Sequence, residues 1–200
     1  MTNSTLDPYV AKAQNDDLTP QEKIDGVKKI IQETKFAMLT THSSDGHLYS
    51  RAMVPASPYD HNQLTLVFIA NNVSPKFDEI KNDSNVNVSF AHSNTDWASF
   101  SGQAKVSQDP ELIKKHWSSV DKAWFGDLKD GIHKGNESDP RISIIEVVPD
   151  EIRYWTVTKN AAARAADMAA GALTGNTSAP GELRTITKAE IQLTQGLTGK

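Results

Sequence analysis

Three short stretches carry side chains suited to holding a flat, charged ligand. The most informative runs Leu64-Thr65-Leu66-Val67-Phe68-Ile69-Ala70-Asn71-Asn72-Val73-Ser74-Pro75-Lys76, a strand passing through a polar loop into a helix. Ser74 suits the N-cap and Pro75 the first helical position, so free backbone N–H groups converge with the positive helix end. A phosphate fits such a place, and Lys76 adds a mobile charge. An ordinary helix start with a surface lysine explains the same residues, and Asp78 and Glu79 compete because acids in a first turn already complement the dipole.

The second stretch is Tyr49-Ser50-Arg51-Ala52-Met53-Val54. Strand alternation puts Arg51 on the same face as Tyr49 and Met53, and a guanidinium on a partly apolar face needs an anion. A carboxylate inside the fold would serve, although a ligand phosphate would use the two-pronged fork better. The third stretch, Trp97-Ala98-Ser99-Phe100-Ser101-Gly102-Gln103, presents Trp97, Ser99, Ser101 and Gln103 on one face. Small hydroxyls beside an aromatic suit a flat, polar-rimmed cofactor, and equally the solvent face of a strand.

Other chemistries are poorly supported. Cysteine is absent, which removes disulfides, thiolate catalysis and Cys-ligated metal centres. The 6 histidines show no close pair at metal-ligand spacing, so no metal site is expected. Ser44-Asp45-Gly46 lacks the strained strand-to-helix elbow of a serine nucleophile. With Lys+Arg 21 against Asp+Glu 25, the chain is mildly acidic, which argues against a nucleic-acid partner or an anionic membrane surface. Residues 1–18 are polar and lack the apolar run of a signal peptide, and no stretch approaches membrane-spanning length. A cytoplasmic location is the expectation.

The elements that must position these side chains follow from periodicity. Thr19-Pro20-Gln21-Glu22 reads as a capping box, followed by Ile24, Val27, Ile30 and Ile31 at helical spacing over about residues 20–34. Short β-rich runs then cover 36–41, 48–54, 64–70, 86–91 and 97–106, and later 142–148 and 151–156, the last two joined by Pro149-Asp150. Helical insertions are expected at 74–81 and 110–117. Antiparallel strands without βαβ alternation favour a small barrel over a doubly wound sheet. Beyond Lys159 comes Ala-rich sequence, a Gly/Ser/Thr-rich linker, and a second capping box at Thr187 and Glu190 ahead of Ile191 and Leu193. The domain organisation expected is a flexible segment over 1–18, a barrel domain over 19–159, and a partly disordered tail over 160–200 with a candidate short helix.

The ordered set Arg51-Ala52-Met53, Asn72 with Ser74-Pro75-Lys76, Trp97 to Gly102, Trp117, Lys122-Ala123-Trp124-Phe125, and Pro149 through Tyr154-Trp155 resembles FMN-binding split-barrel proteins of the pyridoxamine 5'-phosphate oxidase-like superfamily. The likeness is to the general stress protein type and covers about residues 20–158. The tail from Gly181 onward resembles fungal blue-light-inducible members. The resemblance implies a mainly β fold, a six-stranded antiparallel split β-barrel with flanking helices, which forms a homodimer with FMN sites at the subunit interface. By position, Arg51, Ser74 and Lys76 would hold the phosphate, and Met53 and Asn72 would lie along the flavin. Trp97 and Ser99 would line the ring, and Trp124 and Phe125 would close the site from the other subunit.

Two departures and one ambiguity remain. The vitamin B6 oxidases proper carry a lysine five positions after the strand arginine and a basic segment near the C-terminus; here Ala56 takes the first place and the tail is Ala-rich, which argues against pyridoxal-phosphate synthesis. Two function classes suit a flavin-binding fold: an FMN-dependent oxidoreductase, and a non-catalytic protein that stores or senses flavin. A haem-binding split barrel is a third option. No residue marks a second-substrate pocket.

Overall fold

The structure is a computed structural model, and it describes residues 7–14, 17–57 and 64–198, with the side chains of 195–198 set aside. The expected flexible segment over 1–18 falls partly outside the described residues. Within it, Pro8–Ala13 forms a short helix, α1, capped by the Asp7 carboxylate.

The first long helix, α2 (Pro20–Glu33), starts where its sequence says it should. Glu22 N–H donates to the Thr19 hydroxyl oxygen at 3.3 Å, Thr19 N–H donates to the Glu22 carboxylate at 2.9 Å, and Pro20 opens the first turn. Its apolar face, Ile24, Val27, Ile30 and Ile31, is buried in the main core.

The sheet comprises β1 (Ala37–His42), β2 (Leu48–Met53), β3 (Leu66–Asn71), β4 (Asn85–Ala91), β5 (Trp97–Ser107) and β6 (Ile142–Val157), hydrogen-bonded in the order β2-β1-β4-β5-β6-β3 with antiparallel pairing throughout. The strands at the two ends of this path, β2 and β3, are not laddered to each other. The backbone bond from Ala56 N–H to Val67 O, 2.7 Å, draws their neighbourhoods together. This is the curled, incompletely closed six-stranded half-barrel anticipated from the sequence. Leu39, Phe68, Val88, Phe100 and Ile152 point into it and are fully buried.

The run read as two strands flanking Pro149-Asp150 is one strand of 16 residues. Sequence alternation changes phase there because the register against β5 shifts at Ser101/Gly102: Phe100 faces Ile152, whereas Gly102 faces Pro149 and Ala104 faces Val147. The extra residue is a bulge, and it lets both halves of β6 face the same core. Pro149 can sit there since a bulge releases a ladder N–H. Gly102 is required opposite it, as a Cβ would lie 2.1 Å from Val148 O.

The outer face of the β3–β6 half carries a second apolar cluster. Ile142 and Ile144 pack with Ile113 of α4 (Pro110–His116) and Phe125 of α5 (Lys122–Phe125). Among the described residues, the outer face formed by β2, β1, β4 and the first half of β5 has no such apolar cluster over it.

In the segment 160–200, expected as a partly disordered tail with a candidate short helix, the described residues form α6 (Ala161–Thr174), β7 (Gly181–Ile186) and α7 (Lys188–Thr198). β7 has no forerunner in the sequence reading. It pairs antiparallel with the second half of β6, alongside the position that β3 takes on the first half. The Thr187/Glu190 capping box forms, Lys23 Nζ bonds Glu190 Oε1 at 3.0 Å, and Ile186 and Ile191 enter the main core. α6, whose apolar residues are mostly alanine, buries none of its side chains.

Since Ile191 is 2% exposed and Leu193 56%, Ile191→Ala should cost about 2–4 kcal/mol in denaturant unfolding and Leu193→Ala close to nothing. Equal, negligible effects would show that α7 does not dock in solution.

Candidate functional site

Arg51 extends from β2 on the core side of the sheet, opposite Leu39. Because Leu39 and Thr41 share that face, the guanidinium lies among groups that water reaches poorly. Its Nη2 donates to Glu79 Oε2 at 2.6 Å, and its Nη1 donates to Thr41 Oγ1 at 2.5 Å and to Leu39 O at 3.4 Å. The Thr41 hydroxyl in turn donates to the same Glu79 oxygen. Thr41 is 1% exposed and Glu79 8%, so two buried side chains hold a partly buried guanidinium. Of the two anions that the sequence leaves open for Arg51, a carboxylate of the fold is in place. Among the described residues Nε has no partner, so one edge of the guanidinium remains available.

Glu79 comes from α3 (Lys76–Asn82), a helix of 7 residues. Its start differs in detail from the sequence expectation. Pro75 takes the cap position with helical backbone angles and no side-chain cap bond. The Ser74 hydroxyl donates to Asn71 O at 2.7 Å and accepts from Lys76 Nζ at 2.5 Å, so it fastens the turn and holds the lysine. With Asp78 and Glu79 in its first turn, so short a helix adds little to an anion site. The side chains must carry it. Lys76 is partly buried, and desolvation together with the nearby Arg51 charge pulls its ammonium below the usual lysine pKa, an effect that Glu79 opposes. Two cations are thus held side by side and partly out of water.

Apart from Met53, the other expected contacts do not gather around this pair within one chain. Met53 lies on Arg51's own strand and face, two residues on, and packs on the main core. Asn72 uses its amide to fasten the start of β6, donating to Pro140 O at 2.9 Å and to Ser143 Oγ at 3.4 Å. Trp97 and Ser99 lie on the outer face of the sheet, where Trp97 stands opposite Trp155 and Ser99 accepts a bond from Asn87 Nδ2 at 2.7 Å. Trp124 is 77% exposed, whereas Phe125 is 6% exposed and packs on Trp117 and Ile142 of its own chain. Of that pair only Trp124 faces outward.

Glu79, Thr41 and Arg141 escape the sequence reading as parts of a site. Glu79 has the i+3 spacing from Lys76 that brings it onto the same helical side, and Thr41 continues the inward alternation of Ala37 and Leu39. Nothing local announces that they meet across 38 residues. Arg141 binds the fully buried Asp139 through Nε at 2.9 Å and Nη2 at 2.7 Å and also reaches Gly126 O, which ties the loop after α5 to the start of β6. Among the described residues no group of three or more His, Asp or Glu could hold a metal ion, and no helix is long and apolar enough to cross a membrane.

Two measurements probe this geometry. Arg51→Ala strands the Glu79 carboxylate and should cost the ligand-free protein about 3 kcal/mol in denaturant unfolding; a neutral result would mean that the network is not formed. The Arg141 guanidinium holds the Asp139 carboxyl well below the usual aspartate range. A group whose pKa is depressed by folding stabilises above its unfolded value and loses that contribution as pH falls. Acid unfolding of the wild type should therefore show a stability loss beginning near about pH 4 that is reduced in Asp139→Asn, and superimposable slopes would contradict the pairing.

Comparison with known proteins supplies a family for this arrangement. A sequence model described as "Pyridoxamine 5'-phosphate oxidase like" matches residues 22–179. Protein bli-3 of Neurospora crassa is 38% identical over 192 residues, 95% of this chain and 91% of its own. A general stress protein 26 from Jannaschia superposes with TM-score 0.60 at 18% identity, over 84% of this chain and 99% of its own. Two structures at 11% identity and TM-score 0.53 share the fold: a Nostoc punctiforme protein, titled as pyridoxamine 5'-phosphate oxidase-related and FMN binding, over 73% of this chain and 94% of its own, and a heme binding protein from Mycobacterium smegmatis over 88% and 61%. A mainly β split half-barrel, a family match over most of the chain and a close fungal relative agree, and the chain belongs to the pyridoxamine 5'-phosphate oxidase-like family.

Proposed function

We propose that the chain binds FMN and works as a homodimeric flavoprotein, an oxidoreductase of redox or stress metabolism. The observation that carries this reading is the pairing of Arg51 and Lys76. Like charges repel, and burial penalises each cation, yet among the described residues one carboxylate, Glu79, faces both. A net positive charge is left over, beside an Arg51 Nε that has no partner among the described residues. A guanidinium and an ammonium together are a donor set matched to a phosphate monoester.

The bound flavin would supply two-electron chemistry. The chain's own residues would bind and orient it: Arg51 by its remaining fork, Lys76 as a point charge, and Ser74 by turning its hydroxyl hydrogen from Asn71 O to the phosphate. Trp97 and Ser99, on the opposite face of the sheet, can join the same site only when a second copy is present. That is also the argument for the dimer, since the uncovered outer face exposes Met38, Ala52 and Trp97 and a split barrel of this size cannot enclose a flavin alone. Ala56 offers no charge to a phosphorylated second substrate, and its N–H is used by Val67 O.

Protein purified without added cofactor should show flavin absorption bands; a Soret band would favour the haem reading and overturn this one. Arg51→Ala should weaken FMN binding by about one to two orders of magnitude, the worth of a hydrogen bond to a charged group, and leave riboflavin binding nearly unchanged. Light scattering should give a dimer. Pyridoxamine 5'-phosphate should not be turned over in a direct assay.

A further inference from the structure

We propose that Glu79 is a built-in counter-anion of the phosphate site: it neutralises Arg51 in the ligand-free protein and, by remaining there, lowers the site's affinity for a phosphate ester. The proposal rests on the FMN reading above. Its ground is how the guanidinium is used. Glu79 and Thr41 engage Nη2 and Nη1, and because Thr41 also donates to Glu79 the two close over the Nη1/Nη2 end as a unit. Leu39 O takes a further Nη1 hydrogen. Among the described residues, the edge left is Nε with the second Nη2 hydrogen, which is itself a two-pronged fork for a tetrahedral anion.

A phosphate therefore does not need to displace Glu79. It binds the far edge of the same guanidinium, and two anions then share one cation while Lys76 attends to both. Their mutual repulsion across a partly buried group opposes ligand binding. Without the carboxylate, the empty site would hold Arg51 and Lys76 uncompensated, an arrangement that costs stability. Glu79 thus trades affinity for a fold that survives without its ligand, and this predicts opposite signs for the two properties when its charge is removed. A carboxylate that merely oriented Arg51 would make both fall together.

The test is fluorescence titration of FMN and of riboflavin into flavin-free full-length wild type and Glu79→Gln, alongside thermal unfolding. Glutamine keeps an acceptor oxygen for Arg51 and Thr41 and drops the charge. FMN should bind about tenfold more tightly to the variant, riboflavin equally to both, and the ligand-free variant should melt at lower temperature. Unchanged or weaker FMN binding in a variant that folds would overturn the proposal. If Glu79→Gln does not fold, Glu79→Asp draws the carboxylate back by one methylene and should tighten FMN by at least about twofold; equal or weaker binding there overturns it as well. A wild type that prefers FMN to riboflavin, combined with an indifferent variant, removes the counter-anion alone. A wild type with no such preference removes the phosphate reading and the proposal with it.

Discussion

The half-barrel depends on a single irregularity, the bulge where β6 passes Pro149-Asp150 opposite Gly102. β6 serves β5 along its whole length, β3 on its first half and β7 on its second. A strict two-residue period would turn one of those halves inside out, sending either Val147 and Ile145 or Ile152 and Tyr154 to the wrong side. The extra residue restores the inward face, and the close approach of Val148 O to Gly102 is its steric signature. Both apolar clusters and the docking of β7 follow from that correction.

On this scaffold the candidate site is electrostatically unusual. Cores of this kind bury charge reluctantly, yet β2 and α3 converge so that Arg51, Lys76 and Glu79 share one partly dehydrated volume. The carboxylate partners the guanidinium within the fold, and on the proposed reading the cationic excess serves a ligand. With one end of the guanidinium held by Glu79 and Thr41 and one edge without a partner among the described residues, the carboxylate pairing and the proposed phosphate contact are compatible.

Much of this was legible in the chain, and the failures are physical. The capping boxes at Thr19/Glu22 and Thr187/Glu190 announced α2 and α7 because the signal is local and uses few residues. Arg51 and Lys76 were identifiable as charges in unlikely surroundings. Glu79 as Arg51's partner was not, since the contact joins elements far apart in sequence and a glutamate in a first turn already has a sufficient local explanation. β7 was missed because Gly181-Glu182-Leu183-Arg184-Thr185-Ile186 buries only its two ends and owes its strand form to the free edge of β6. The break drawn at Pro149-Asp150 mistook a change of phase for a change of element.

The account as a whole turns on whether the Arg51–Lys76 cluster recognises a phosphate ester, and calorimetric titration of the flavin-free wild type with FMN and with riboflavin addresses that directly. The two ligands share the ring system and differ by the phosphate. FMN binding tighter by at least about tenfold, equivalent to about 1.4 kcal/mol, is the result the account predicts. Equal affinities, or binding of neither, would contradict it.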